Sequence, residues 1–345
     1  MELEIGDRKR AFDFISNIKN HKVALISHTD LDGITAAKIM NDLIDTKDVF
    51  FVDYIELNEE LIKKLKQKGI TKVVFTDIYM KDREFMRSVE EFAEILLIDH
   101  HLSSDWNSDR TVFIKAEGYS AGFLCYSLFS KIKNLEKWDW LVACSCIADY
   151  CHIKPGEWLE KVFKKYGDKL EYEGHYVRKT GKFWELQYKL SLALIYFKED
   201  KKKVYDSIEE EFGKIGDLGK HSDEVQKEID WILSKFRDEK EEFKDGYFLE
   251  FDQKFSVGSI ISSIISSYDF HKMFITVRHH EKFYTISLRR QDGKVDCSAF
   301  LQNILKNLDG ADGGGHAKAA GGHFAKKDMP EIRRRLGLPE KQKSL

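Results

Sequence analysis

The sequence has no run of eighteen apolar residues, so nothing in it reads as a membrane-spanning helix. Its start, MELEIGDRKR, is charged where a secretory leader would turn apolar. The expectation is a soluble, cytoplasmic protein with no membrane partner. Cysteine is scarce: the five, at positions 125, 144, 146, 151 and 297, form an odd, uneven set that argues against a disulfide framework and fits reduced thiols. Net charge is nearly absent too, with 56 Lys and Arg against 59 Asp and Glu. That excludes a histone-like polycation, so any contact with nucleic acid must come from local patches. Only three prolines occur, which with the Lys, Glu and Ile richness is compatible with a thermophile.

What is present is ample apolar material, 42% of 345 residues, in a chain long enough for two domains. Residues 1–155 alternate short apolar runs with helical stretches, the pattern of a doubly wound, mostly parallel α/β sheet. Strands are expected at 22–27, 72–78, 94–99 and 112–116, with a weaker one at 49–55. One helix is expected just after Asp32 and Gly33, another behind an N-cap at Ser120, and a third ending near Asp149. Residues 156–245 are Lys/Glu-rich and read as a helical connector, with Val225, Ile229, Ile232, Leu233 and Phe236 on one face of an amphipathic stretch. Residues 246–345 read as a smaller α/β domain: a helix over 256–267, the paired strands MFITVRHH and FYTISLRR, a further helix, and the cluster DGGGHAKAAGGHF.

In open α/β sheets ligands collect beyond the carboxyl ends of the strands. Four places carry conspicuous polar groups: His28, Asp30 and Asp32 after the first strand, Asp77 after another, Asp99, His100 and His101 after a third, and Asp149 at a helix end. A parallel sheet brings all of them to one edge, where five carboxylates would repel and raise one another's pKa values unless cations lay between them. Carboxylates with some imidazole fit Mn²⁺ or Mg²⁺ better than a structural zinc. So many ligands suit two ions sharing a carboxylate, about 3.5–4 Å apart.

HTDLDG, FTD, IDHH and Asp149 resemble the four motifs of the DHH phosphoesterase superfamily, and SLRR with GGGHAKAAGGHF resembles the DHHA1 domain attached to many of its members. The resemblance implies a DHH metal-binding catalytic domain over 1–155 and a DHHA1 substrate-binding domain over 246–345, with an active-site cleft between the two. It implies that His28 and Asp30 hold one ion, that Asp32, His100 and Asp149 hold the other, and that Asp77 bridges them, manganese being preferred to magnesium. Asp99 would orient its neighbours and His101 would face the scissile phosphate. Gly313, Gly314, Gly315 and His316 would contact substrate. Their consecutive N–H groups suggest an anion nest, although a turn before an edge strand fits the spacing equally well. Arg289 would clamp a phosphate, whereas Arg290 alternates to the other side of its strand.

Two further features stay open. Residues 313–345 hold eight Lys and Arg against three Asp and Glu, either a surface that steers an anionic polymer or, at Arg333, Arg334 and Arg335, the solvated face of a terminal helix. Cys144, Cys146, Cys151 and His152 lack zinc spacing and are expected as buried small residues.

The chemistry expected is attack on phosphorus by a water that two divalent ions activate, with His101 assisting. The leading substrate is the end of single-stranded DNA or RNA, or a short oligonucleotide, as in RecJ-type exonucleases and nanoRNases. Alternatives using the same ions are a cyclic dinucleotide, 3′-phosphoadenosine 5′-phosphate or, less readily, pyrophosphate. A reading of another class is a replication or repair scaffold whose connector docks a helicase.

Overall fold

Continuous apolar runs flanked by polar turns become strands, most of them buried on both faces. In the computed structural model, which describes residues 3–102 and 104–339, they are β1 (Val23–Ser27), β2 (Asp48–Phe51), β3 (Lys72–Thr76), β4 (Glu94–Asp99) and β5 (Thr111–Lys115). All pair in parallel, in the order β2-β1-β3-β4-β5. Because side chains alternate along a strand, Leu25, Val74, Leu96 and Val112 pack with the helices Leu31–Ile44, Ala121–Phe129 and Asp139–Ala148. Ala24, Ile26, Val73, Phe75, Ile95 and Leu97 pack on the other face with Glu59–Lys68 and Arg83–Glu90. The sheet is thus doubly wound, as expected.

Two local departures bear on the site. The strand expected over 49–55 stops at Phe51, because Asp53 and Glu56 form a reciprocal cap around a 3₁₀ turn, Tyr54–Glu56. The helix expected after Gly33 instead begins at Leu31, since Asp30 is its N-cap and accepts from the Gly33 N–H at 3.0 Å. Gly33 therefore lies in the first turn, where a Cβ would stand 2.3 Å from the His28 carbonyl oxygen. Only glycine lets the helix start this close to the strand end.

The chain divides into two units, Met1–Ser222 and Asp223–Leu345. Of the stretch expected as a connector, residues up to 222 pack with the first unit. The helices Gly156–Lys165, Lys182–Tyr196 and Lys201–Ser207 bury Phe163, Phe183, Leu190 and Val204 in the same cluster as Leu25 and Trp140. A two-stranded hairpin, β6 (Tyr172–Glu173) and β7 (Tyr176–Val177), interrupts them. The amphipathic helix Leu218–Glu239 follows and buries Val225, Ile229, Ile232 and Phe236.

The second unit holds β8 (Glu241–Phe243), β9 (Gly246–Phe251), β10 (Met273–His279), β11 (Phe283–Arg289), β12 (Asp312–His316) and β13 (Ala319–Ala325) in the order β12-β13-β11-β10-β9-β8. Only β9 and β10 pair in parallel. Met273, Ile275, Val277, Ile286 and Leu288 pack against the helices Cys297–Leu305 and Met329–Leu336.

The glycine cluster is a hairpin, with Gly313, Gly314, Gly315 and His316 on the edge strand β12. Of the two readings left open for it, the turn before an edge strand is the one the pairing shows, and extended backbone alternates its N–H groups instead of converging them into an anion nest. The three arginines are no free basic surface either. Arg333 is buried and forks onto Glu241, while Arg334 and Arg335 both pair with Glu331. Of the other charges in that run, Glu340, Lys341 and Lys343 lie outside the described residues. Among the described residues, no helix is long and apolar enough to cross a membrane.

Candidate functional site

The strand order reverses between β1 and β3, so the loops leaving these strands run to opposite faces and open a crevice at their carboxyl ends. The donors sit there. His28 and Asp30 follow β1, Asp77 follows β3, Asp99 closes β4, and His100 and His101 come next. Asp149 arrives from the C-cap of the Asp139–Ala148 helix.

Donor atoms group within 4.8 Å of one another as His28, Asp30 and Asp77; as Asp77, Asp99, His100 and His101; and as His100, Asp149 and Cys151. Asp77 belongs to the first two groups and His100 to the last two. Nδ1 of His28 lies 2.9 Å from Asp30 Oδ2 and 3.7 Å from Asp77 Oδ2. Nε2 of His100 lies 3.4 Å from Asp77 Oδ1, 3.3 Å from Asp149 Oδ2 and 3.9 Å from Asp32 Oδ2. Asp77 holds this place with φ 58, in the left-handed region that Asp tolerates better than most side chains.

The electrostatics call for cations. Burial, with Asp30 and Asp32 nearby, pushes the Asp77 carboxyl well above its usual range. Burial and the Asp149 charge push Asp32 up to about 7. Against burial, which lowers it, Asp30 and Asp77 raise the His28 imidazole to about 10, and His28 in turn holds Asp30 at about 2 despite burial. Four buried polar atoms here, His28 Nδ1, Asp77 Oδ2, Asp99 Oδ2 and His100 Nε2, make no hydrogen bond of good geometry, although both imidazole nitrogens lie within ion-pairing distance of carboxylates. Buried polar atoms without good hydrogen bonds are costly, and imidazole nitrogens and carboxylate oxygens converging on one crevice fit divalent metal ions.

Not every expected ligand stands equally. Both Asp32 oxygens accept backbone N–H groups at the start of the Ala121–Phe129 helix, Oδ2 from Ala121 at 2.6 Å and Oδ1 from Gly122 at 2.8 Å. Asp32 thus anchors that helix while its carboxylate borders the donors. His101 donates from Nδ1 to Asp99 Oδ1 at 2.8 Å, which leaves Nε2 turned away from Asp99. Its side chain is 36% exposed.

Two residues of the site went unassigned by sequence reasoning. Cys151, expected as a buried filler, has Sγ 3.4 Å from Asp149 Oδ2 and 3.8 Å from His100 Nδ1. Its position two residues after Asp149 was the available signal. Cys144 and Cys146 are fully buried, as expected. Tyr54 has its ring 5.4 Å from that of His28, placed there by the 3₁₀ turn that truncates β2.

In the second unit, Arg289, Gly314 and Gly315 line a cavity of about 290 Å³ together with Ser259, Ser287 and Arg278. Gly313 instead packs against Leu301 and Leu305, and His316 is exposed. Arg290 pairs with Asp292 at 2.7 Å. Arg278 was missed by sequence reasoning, although strand register places it opposite Thr285, on the face that Ser287 and Arg289 share. Its Nη2 donates to Ser287 Oγ at 3.0 Å, and its buried Nε has no partner. Gly258 makes room for it, since a Cβ there would lie 1.8 Å from Nη1.

Residues 252–337 match the model of the DHHA1 domain, so the second unit contains a DHHA1 domain, and the chain as a whole shares its fold with solved structures. A manganese-bound structure of the exonuclease RecJ superposes with a TM-score of 0.65 at 18% identity, over 97% of this chain and 94% of the other. Thermus thermophilus RecJ with Mn²⁺ gives 0.62 at 17% identity over 97% of this chain, which spans only 54% of that longer protein. PggH, a pGpG-specific phosphodiesterase from Vibrio cholerae, gives 0.53 at 12% identity, over 91% and 97%. No curated protein matches the sequence.

Proposed function

We propose that the chain is a divalent-metal-dependent phosphodiesterase that removes nucleotides from the end of single-stranded DNA or RNA, or cleaves short oligonucleotides. The observation that carries this reading is the convergence of His28, Asp30, Asp77, His100 and Asp149 donor atoms at the crevice where the strand order reverses. The fold relatives support it, since two are RecJ structures with manganese and one is a pGpG-specific phosphodiesterase.

His28, Asp30, Asp77, His100 and Asp149 would hold two ions, manganese in preference to magnesium, with Asp77 between them and Asp32 alongside. Such ions supply Lewis acidity, making water a nucleophile near neutral pH and offsetting the charge that builds on phosphorus. Asp99 fixes the His101 ring through Nδ1, so that Nε2 can donate a proton to a phosphate oxygen or to the leaving alkoxide. Arg289 and Arg278 would grip a phosphate through forked N–H groups.

A panel of labelled dinucleotide, single-stranded RNA and DNA, duplex, cyclic dinucleotide, 3′-phosphoadenosine 5′-phosphate and pyrophosphate, each with Mn²⁺, tests the reading. Release of mononucleotides from single strands or dinucleotide is expected. Turnover of none of the phosphodiesters would refute it. The coverage of PggH nearly end to end favours dinucleotides as a second reading, which preferential cleavage of the dinucleotide would establish. Docking of a helicase is a separate proposal, testable by pulldown with the Asp77→Ala protein.

A further inference from the structure

Tyr150 follows the candidate ligand Asp149 directly, yet its side chain faces solvent: the residue is 69% exposed. Its backbone lies in the left-handed region with φ 56, which is uncommon for a bulky residue and costs backbone energy. The geometry is held from both sides. On one side, the Tyr150 N–H donates to the Ile147 carbonyl at 3.2 Å, finishing the helix that delivers Asp149. On the other, Cys151 turns inward to Asp149 and His100. The next residue, His152, is buried, and its Nε2 donates to the His175 carbonyl at 3.0 Å, fastening the β6–β7 hairpin to this loop.

That hairpin presents Tyr176, 59% exposed, with its ring 5.6 Å from the Tyr150 ring at 77°. Ile153, 63% exposed, stands on the same loop. Two tyrosines meet edge to face with much of their surface bare, one of them adjacent in sequence to a metal-donor carboxylate.

We propose that Tyr150 and Tyr176 form a stacking platform for a nucleobase of the substrate, at the rim of the donor cluster. This rests on the phosphodiesterase reading and deepens it, because it makes the base, and not the phosphate alone, part of what the first unit recognises. A phosphodiester held at Asp149 carries its base within a nucleotide's reach, and an aromatic face accepts any base, so the platform binds without reading sequence. Pyrophosphate has nothing to place on it.

The test is equilibrium binding, in Ca²⁺, of a short oligonucleotide labelled at one end, compared with oligonucleotides carrying an abasic sugar at one position in turn. The full-length wild type, Tyr150→Ala, Tyr176→Ala and Tyr150→Trp are compared. The wild type is expected to bind the natural strand about ten-fold more tightly than one of the abasic strands. Each alanine variant should lose that preference, and tryptophan should restore it. An undiminished preference in both alanine variants, no preference in the wild type, or equal losses on all strands would overturn the platform. Hydrolysis in Mn²⁺ is scored separately: a base preference that depends on these tyrosines without any turnover would refute the phosphodiesterase reading and leave the platform standing.

Discussion

Sγ of Cys151 stands 3.8 Å from Nδ1 of His100, while the other ring nitrogen, Nε2, faces Asp77 and Asp149. If Nδ1 carries the proton and points it at sulfur, the Nε2 lone pair is left for a metal, the usual way an outer partner fixes a ligand's tautomer. The thiol in turn donates to Asp149. Cys151→Ala should therefore weaken Mn²⁺ binding about ten-fold in calorimetric titration, and Cys151→Ser should recover most of that. An unchanged affinity in the alanine variant would show that the sulfur only fills space.

Asp77 joins two donor groups, so its loss should disturb both candidate positions. Asp77→Asn suits the left-handed backbone and removes the charge alone. We expect Mn²⁺ stoichiometry, read by electron paramagnetic resonance, to fall below the wild-type value, and turnover to drop by about 10³-fold or more, equivalent to several kcal/mol. Full occupancy in this variant would contradict the shared-donor role.

The buried carboxylates give metal binding a pH signature. Asp32 is raised from 3.8 to about 7, and Asp77 is raised as well. Between about pH 4 and 7 the folded chain therefore keeps protons that the unfolded chain releases, and stability without metal falls as pH rises through this window. His28, raised from 6.5 to about 10, stabilises the fold fully below about 6.5 and loses that contribution as pH climbs toward 10. Manganese replaces the carboxyl protons, so the rise in Tm it produces should grow from pH 4 to 7 in thermal melts against a chelator control. A rise independent of pH would count against carboxylate ligation.

His101→Ala should lower kcat by about 10²- to 10⁴-fold while Mn²⁺ stoichiometry holds. Asp99→Asn should give a smaller loss, since it keeps the ring but weakens its orientation. Equal loss of metal in either variant would make His101 a ligand and not a proton donor.

Arg278→Ala and Arg289→Ala should each raise KM with metal affinity close to wild type, because the cavity they line holds no metal-donor group. Arg290→Ala, which only frees Asp292, serves as the control and should leave KM unchanged. A matching rise in KM for Arg290→Ala would point to general charge and not to the cavity.

The parallel sheet was legible in the sequence because its strands are buried on both faces and read as unbroken apolar runs. The convergence of His28, Asp30, Asp77, Asp99 and His100 was legible because each follows such a run, while Asp149 had to be placed from the end of a helix. What escaped depended on contacts distant in sequence. The role of Asp32 as a helix anchor requires the amides of Ala121 and Gly122, some ninety residues away. Cys151 was misjudged because its partner His100 comes from another loop. Arg278 was overlooked because its place beside Arg289 is set by antiparallel register. The glycine cluster stayed open for another reason: consecutive glycines serve a tight hairpin as readily as an anion nest, and only the pairing with β13 distinguishes the two.

The hydrogen bonds that Asp32 accepts from the start of the Ala121–Phe129 helix make that carboxylate masonry. In a related chain where His28, Asp30 and Asp149 were replaced, Asp32 would still be retained for its hold on the helix. An acidic residue surviving alone at this place would therefore be a fossil of architecture, and poor evidence that an enzyme is still at work.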